Sequence, residues 1–149
     1  MRVYRITKAR YADRLVASGG AARWNSRGQF VIYTADSRAL ACLENVVHLS
    51  GEGLLADFRV MIITVPDSLL IETISVDQLP TDWFSFLNYP VCQQIGDAWF
   101  QNGQSAVLKV PSAIVPNEWN FLLNPAHPDF SQIQLLQTEP FIFDSRIKE

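Results

Sequence analysis

The chain has 149 residues, 48% of them hydrophobic and 18% charged, a balance that suits one globular domain with a sizeable core and excludes an intrinsically disordered segment. Twelve Lys and Arg against fifteen Asp and Glu leave a formal charge of −3, so the basic surface needed for non-specific nucleic-acid binding or for a polybasic membrane contact is missing. The N-terminal MRVYRITKARYADRL lacks the apolar run of a signal peptide, and no stretch approaches a transmembrane helix, which makes a soluble cytoplasmic protein the expectation.

In chain order, residues 2–7 read as a strand and residues 8–15 as a short helix. Gly19-Gly20 and the polar run 25–28 bracket an irregular loop that delivers Arg23 and Trp24. Residues 30–34 form an apolar strand. Asp36-Ser37 then caps a helix over 38–49 that stops near Ser50-Gly51. Residues 58–65 and 69–74 read as strands separated by a Pro66-Asp67 turn. A second helix is expected over 90–101, with Pro90 in its first turn, Val91, Ile95, Ala98 and Trp99 at helical spacing, and Asn102-Gly103 as its stop. Strands follow at 106–110, 119–123, 133–136 and 141–143. This is a strand-rich α+β pattern without regular βαβ alternation. No G-x-G-x-x-G follows the strand after Gly20, which argues against a Rossmann dinucleotide site. Cys42 and Cys92 fall in the two helices and read as small buried hydrophobes. With His48 and His127 the only histidines, no metal-ligand cluster of usual spacing is formed.

One residue breaks the pattern of the first helix. Leu40, Leu43 and Val47 recur at i, i+3 and i+7 and define an expected core stripe. Glu44 lies only about 40° from Leu40 on the helical wheel. Carboxylates are seldom buried without a partner. Glu44 therefore either reaches water or a salt bridge from the stripe's edge, or projects from a core helix into a cleft.

The blocks GGAARWNSRGQFVIYTADSRALACLE, LKVPSAIVPNEWNFLLNPAHPDF and the terminal PFIFD resemble the RES domain, and the likeness covers nearly the whole chain as a single domain, residues 1–149. The resemblance implies an ADP-ribosyltransferase-like fold, a single compact α+β domain with a split, twisted β-sheet core and flanking helices. It implies the toxin half of a type II toxin–antitoxin pair with an Xre-type helix-turn-helix antitoxin, assembled as a homodimer or as a hetero-oligomer with that partner. The implied reaction is degradation of NAD⁺ at the nicotinamide–ribose bond by hydrolysis or phosphorolysis, with NAD⁺ as substrate and no cofactor. The alternative is ADP-ribosyl transfer to a protein target. The family's arginine, glutamate and serine correspond to Arg23, Glu44 and Ser112, its tyrosine to Tyr33, and the YR of its first strand to Tyr4 and Arg5. The chain departs from the family's GGRWN by reading GGAARWN, which puts the aim of Arg23 in question. Phe121 stands where the family often has tyrosine.

The residues suit that chemistry. The forks of Arg5 and Arg23 match pyrophosphate oxygens. Tyr33 can stack on a cationic nicotinamide ring, although a strand tyrosine also packs in a core. Glu44 can stabilise the positive charge that builds on the ribose and orient the attacking water. Ser112, at a strand end after Pro111, can bond the ribose or position Glu44, or it can be a turn serine. It lacks the elbow and the His partner of a nucleophile. A nuclease would need a basic face and a His/Lys/Arg cluster, and neither is present. His127 and Asn124 read as turn chemistry.

Overall fold

In the computed structural model, which describes residues 1–148, the strands are β1 (Arg2–Lys8), β2 (Ile32–Ala35), β3 (Phe58–Thr64), β4 (Ile71–Thr73), β5 (Val107–Pro111), β6 (Trp119–Leu123) and β7 (Gln134–Phe141). They form one sheet in the order β4-β5-β6-β2-β1-β3-β7. Only β4–β5 is parallel. The helices are α1 (Arg38–His48) and α2 (Tyr89–Asn102). The α+β class with a sheet core and flanking helices is as expected.

Local chemistry accounts for these elements. The Ser37 side chain accepts from the Leu40 amide at 3.1 Å and starts α1. Pro90 sits in the first turn of α2, and Gly103, at φ 60°, ends it in the left-handed conformation. In β3, Val60, Met61, Ile62 and Ile63 are all buried, as befits a strand covered on both faces.

Three expectations need correcting. The short helix at 8–15 is a single 3₁₀ turn, Ala9–Tyr11. In place of the strands expected at 133–136 and 141–143 there is one edge strand, β7, which pairs with β3 with a register shift between Ile62 and Ile63 and ends at Phe141, leaving 142–143 outside it. An edge strand tolerates Gln137, Glu139 and Pro140 because its outer side needs no ladder partner. In α1, Leu43 is 39% and Val47 55% exposed, while Leu40 and Ala41 are buried. Thus the buried stripe lies on the Leu40–Ala41 side, and Val47 faces a cleft.

That cleft originates in the sheet. β1 and β2 pair at one position, Tyr4 opposite Ala35. Continuing the register would oppose Arg5 to Thr34 and Ile6 to Tyr33; instead the strands part. Side chains meet backbone carbonyls on both sides: the Arg5 guanidinium donates to the Tyr33 carbonyl at 2.9 Å, and the Asn45 amide to the Ile6 carbonyl at 3.0 Å. Each half of the sheet has its own helix. α1 packs Leu40 and Ala41 on Ile6, Val60 and Ile62, while α2 packs Cys92 and Trp99 with Leu108, Val110 and Leu122. The opposite face is closed by a third cluster that includes Val3, Ile32, Met61, Ile63 and Leu123.

Arg5→Ala removes a charged donor and leaves the Tyr33 carbonyl short of a partner. The expected cost is about 1.5–3 kcal/mol, read as a lower denaturation midpoint at unchanged m-value.

Candidate functional site

The cleft over the seam has a volume of about 720 Å³, within the usual range for small-molecule sites. Tyr4 and Arg5 reach it from β1, Tyr33 from β2, Glu44 and His48 from α1, and Arg23 from the loop before β2. Five of the six residues expected at a site, Tyr4, Arg5, Arg23, Tyr33 and Glu44, therefore line one cleft.

Ser112 does not line it. The side chain is buried, and its hydroxyl accepts from the Ile114 and Val115 amides at 3.1 and 3.0 Å. It closes a tight turn behind the wall that Ala113 and Ile114 present to the cleft.

Arg23 is held by a built loop. Gly19 and Gly28 take positive φ, 77° and 91°, and the Gly28 amide donates to the Gly19 carbonyl at 2.9 Å. Inside the loop, the buried Asn25 amide donates to the carbonyls of Gly20, Ser26 and Gln29. Its oxygen accepts from the Tyr33 hydroxyl, which in turn accepts from the Trp24 amide at 3.1 Å. One face of α2 grips the outside. Gln93 donates to the Ala22 carbonyl at 2.9 Å, and the Asp97 carboxylate accepts from the Ser26 amide and hydroxyl at 2.9 and 2.6 Å. Gly96 lies between them, where a Cβ would stand 1.7 Å from the Trp24 carbonyl oxygen. The Ala21-Ala22 departure is thus absorbed: Ala22 bridges to Asn25 and docks on α2.

The Arg23 guanidinium donates to the carbonyls of Trp83 and Phe84 at 3.1 and 2.8 Å. It stacks over the Tyr89 ring at 4.5 Å from the centroid. Two of its five N–H groups are used in this way.

The electrostatics single out Glu44. Its side chain is 32% exposed, and burial raises its pKa above the usual carboxylate value, opposed by the Asn120 amide and by the charges of His48 and Arg23. His48 Nε2 lies 3.9 Å from Glu44 Oε2. Burial also raises the Tyr33 hydroxyl, which stays protonated and serves as a bridge within the loop. Burial lowers Arg5 from the ordinary arginine value. Among the described residues, no group of three or more His, Cys, Asp and Glu could hold a metal ion, and no helix is long and apolar enough to cross a membrane.

Sequence reasoning missed Asn25, Asn120, Gln93, Asp97 and Phe84. Asn120 left a signal: alternation in β6 puts it on the inner face with Leu122, and a polar residue there asks for a partner, which it finds in the Thr34 carbonyl at 3.2 Å. The α2 grip left none.

A profile of the RES domain matches residues 2–144. The chain belongs to the RES-domain family. It is similar to the "Prs ADP-ribosylating toxin" of Sphingobium sp. (strain YBL2), 40% identical over 141 residues that cover 91% of this chain and 88% of the relative. It is also similar to "Toxin Res" of Photorhabdus laumondii, 37% identical over 99% of this chain and 97% of the relative. In fold, this RES domain superposes on a chain of the M. tuberculosis MbcT–MbcA toxin–antitoxin complex with a TM-score of 0.77, at 24% identity, over 95% of this chain and 84% of that one.

Two outcomes follow from the geometry. Gly96→Ala drives a methyl group into a backbone carbonyl and should cost about 1–3 kcal/mol, read in a thermal melt. Glu44 behaves differently. A raised pKa in the folded state means that the folded chain binds the proton more tightly than the unfolded one, so the ionised carboxylate costs stability above that pKa. Glu44→Gln should therefore melt at or above the wild-type temperature at neutral pH, and the gap should close as the pH falls through the acid range.

Proposed function

We propose that this RES domain is the toxin of a toxin–antitoxin pair, acting in the cytoplasm, and that it cleaves the bond between nicotinamide and ribose in NAD⁺. The observation that carries this reading is Glu44. A partly buried carboxylate, its pKa raised by burial, shares one cleft with the guanidinium groups of Arg5 and Arg23. Such a site suits a ligand with anionic phosphates at one end and a bond whose rupture creates positive charge at the other.

In this reading the remaining N–H groups of Arg23 and Arg5 hold the pyrophosphate. Tyr4 and the Tyr33 ring shape the wall. As the C1′–N bond breaks, its electron pair leaves with nicotinamide, which becomes neutral, and the positive charge moves to the ribose. Glu44 faces that charge at short range in a site of low polarity, where its attraction is strongest in the transition state. Water then adds to C1′ and Glu44 takes its proton; phosphate in place of water gives the phosphorolytic variant. Ser112 acts as a positioning residue that fixes the Ala113–Ile114 wall. Xre-type antitoxin binding over the cleft restrains the activity. No cofactor enters, since NAD⁺ is the substrate.

A second reading has a specific support: the relative 40% identical to this chain is named for ADP-ribosylation. Transfer to a protein uses the same clamp and carboxylate and differs only in the acceptor.

Purified, antitoxin-free protein should release nicotinamide from NAD⁺, followed by proton NMR. Glu44→Gln should lower kcat by about 10²–10³-fold. Turnover that appears only when a protein acceptor is added, with ADP-ribose on that protein by mass spectrometry, selects the transfer reading. A folded protein that leaves NAD⁺ intact with and without cell extract contradicts both.

A further inference from the structure

Arg23 does more at the cleft rim than present charge: it fixes the backbone of the segment that carries Phe84. Five Phe, Tyr and Trp residues line the cleft, Tyr4, Trp24, Tyr33, Phe84 and Tyr89. Four of them are already engaged. Trp24 is buried. Tyr33 is packed against the α2 core, with its hydroxyl bonded to Asn25 and to the Trp24 amide. The Arg38 guanidinium stands over Tyr4, 4.8 Å from the ring centre. Tyr89 carries Arg23 at 4.5 Å and meets the Phe86 ring at 4.9 Å. Phe84 alone is 56% exposed. Its nearest aromatic neighbour, Trp83, meets it edge-to-face, at 6.3 Å and 82°.

The backbone under that open ring is held from both sides. Trp83, buried against Trp24 at 5.9 Å, anchors it in the core. The Phe84 carbonyl accepts from Arg23 at 2.8 Å. Ser85 and Asn88 both bond back to the Asp82 carbonyl at 2.9 Å. A ring with two rotatable bonds on a fixed backbone loses little freedom when a flat group stacks on it.

We infer that Phe84 is the stacking platform for a base of the dinucleotide, and that Arg23 positions it by holding its carbonyl. The inference rests on the NAD⁺ reading above. It also gives Arg23 two linked tasks, since the same guanidinium faces the phosphates and fixes the ring that receives the base. Either the cationic pyridinium or the neutral adenine satisfies such a platform, because both offer a flat π-face.

The test is calorimetric, in the full chain carrying Glu44→Gln so that NAD⁺ persists. Phe84→Ala and Phe84→Leu should each weaken NAD⁺ binding by about 5- to 150-fold, with unchanged melting temperature because the ring is exposed. Phe84→Tyr should bind as the parent does. Titration with ADP-ribose, which lacks nicotinamide, and with nicotinamide mononucleotide, which lacks adenine, assigns the base: the penalty follows the fragment that stacks. Phe84→Ala binding NAD⁺ as tightly as the parent overturns the platform, and so does full affinity in Phe84→Leu, which keeps apolar bulk without a π-face. Nicotinamide release by the wild-type chain, measured alongside, separates these failures from that of the NAD⁺ reading. If the parent binds no NAD⁺ and the wild type releases no nicotinamide, both fall together; if the parent binds none while the wild type turns over, the platform alone is overturned.

Discussion

The parting of β1 from β2 is the constraint on which the rest of the molecule depends. A sheet that separates mid-way exposes backbone polar groups, and such groups must be partnered wherever water is excluded. Here Arg5 and Asn45 supply donors to the Tyr33 and Ile6 carbonyls. Residues that keep the sheet stable while open therefore also line the opening, Arg5 as its cation and Asn45 beside Glu44 on the helix. On the cleft face each half of the sheet keeps its own helix and its own core, while a cluster on the opposite face joins the two halves, so the seam can stay open on one side without the sheet coming apart.

The second dependence is on polar bonds that run through the loop of Arg23. Asn25 satisfies three loop carbonyls and the Tyr33 hydroxyl at once, and α2 holds the same loop through Gln93, Gly96 and Asp97. Networks of this sort rigidify when every member is satisfied, and no buried side-chain N or O among the described residues lacks a partner. The cost falls on Glu44, whose charge is disfavoured by burial. A carboxylate kept at that disadvantage is consistent with a task that needs its charge in a poorly solvated place.

How much of this the sequence made legible depends on distance along the chain. Caps and stops are local, and Ser37, Pro90 and Gly103 mark the helix ends where they were expected. The strand expected at 119–123 is β6 residue for residue. The helical wheel placed Glu44 beside the core stripe, but a wheel cannot tell a face turned to the core from one turned to a cleft, and so Leu43 and Val47 were misassigned. β7 was split because its polar residues look like a break until the edge position is known. The residue pattern singled out Glu44, whereas Arg23 and Tyr33 were assigned to the site through the family likeness, since a strand tyrosine by itself reads equally as core. The grip of Asp97 on Ser26 spans 71 positions and has no local signature. Ser112 was readable as a serine at a strand end, yet whether its hydroxyl faced a ligand or two backbone amides depended on the turn that follows it.

The central claim is that an ionised, partly buried Glu44 carries the bond-breaking step at the seam. The most direct measurement is the pH dependence of kcat/KM for nicotinamide release from NAD⁺ by the wild-type chain, with folding monitored at each pH. Because the carboxylate must be charged to act and burial raises its pKa in the free protein, kcat/KM should fall as the pH drops, with a midpoint above the value of about 4.3 for a solvated glutamate. A kcat/KM that stays constant through that range in a folded protein would contradict the account.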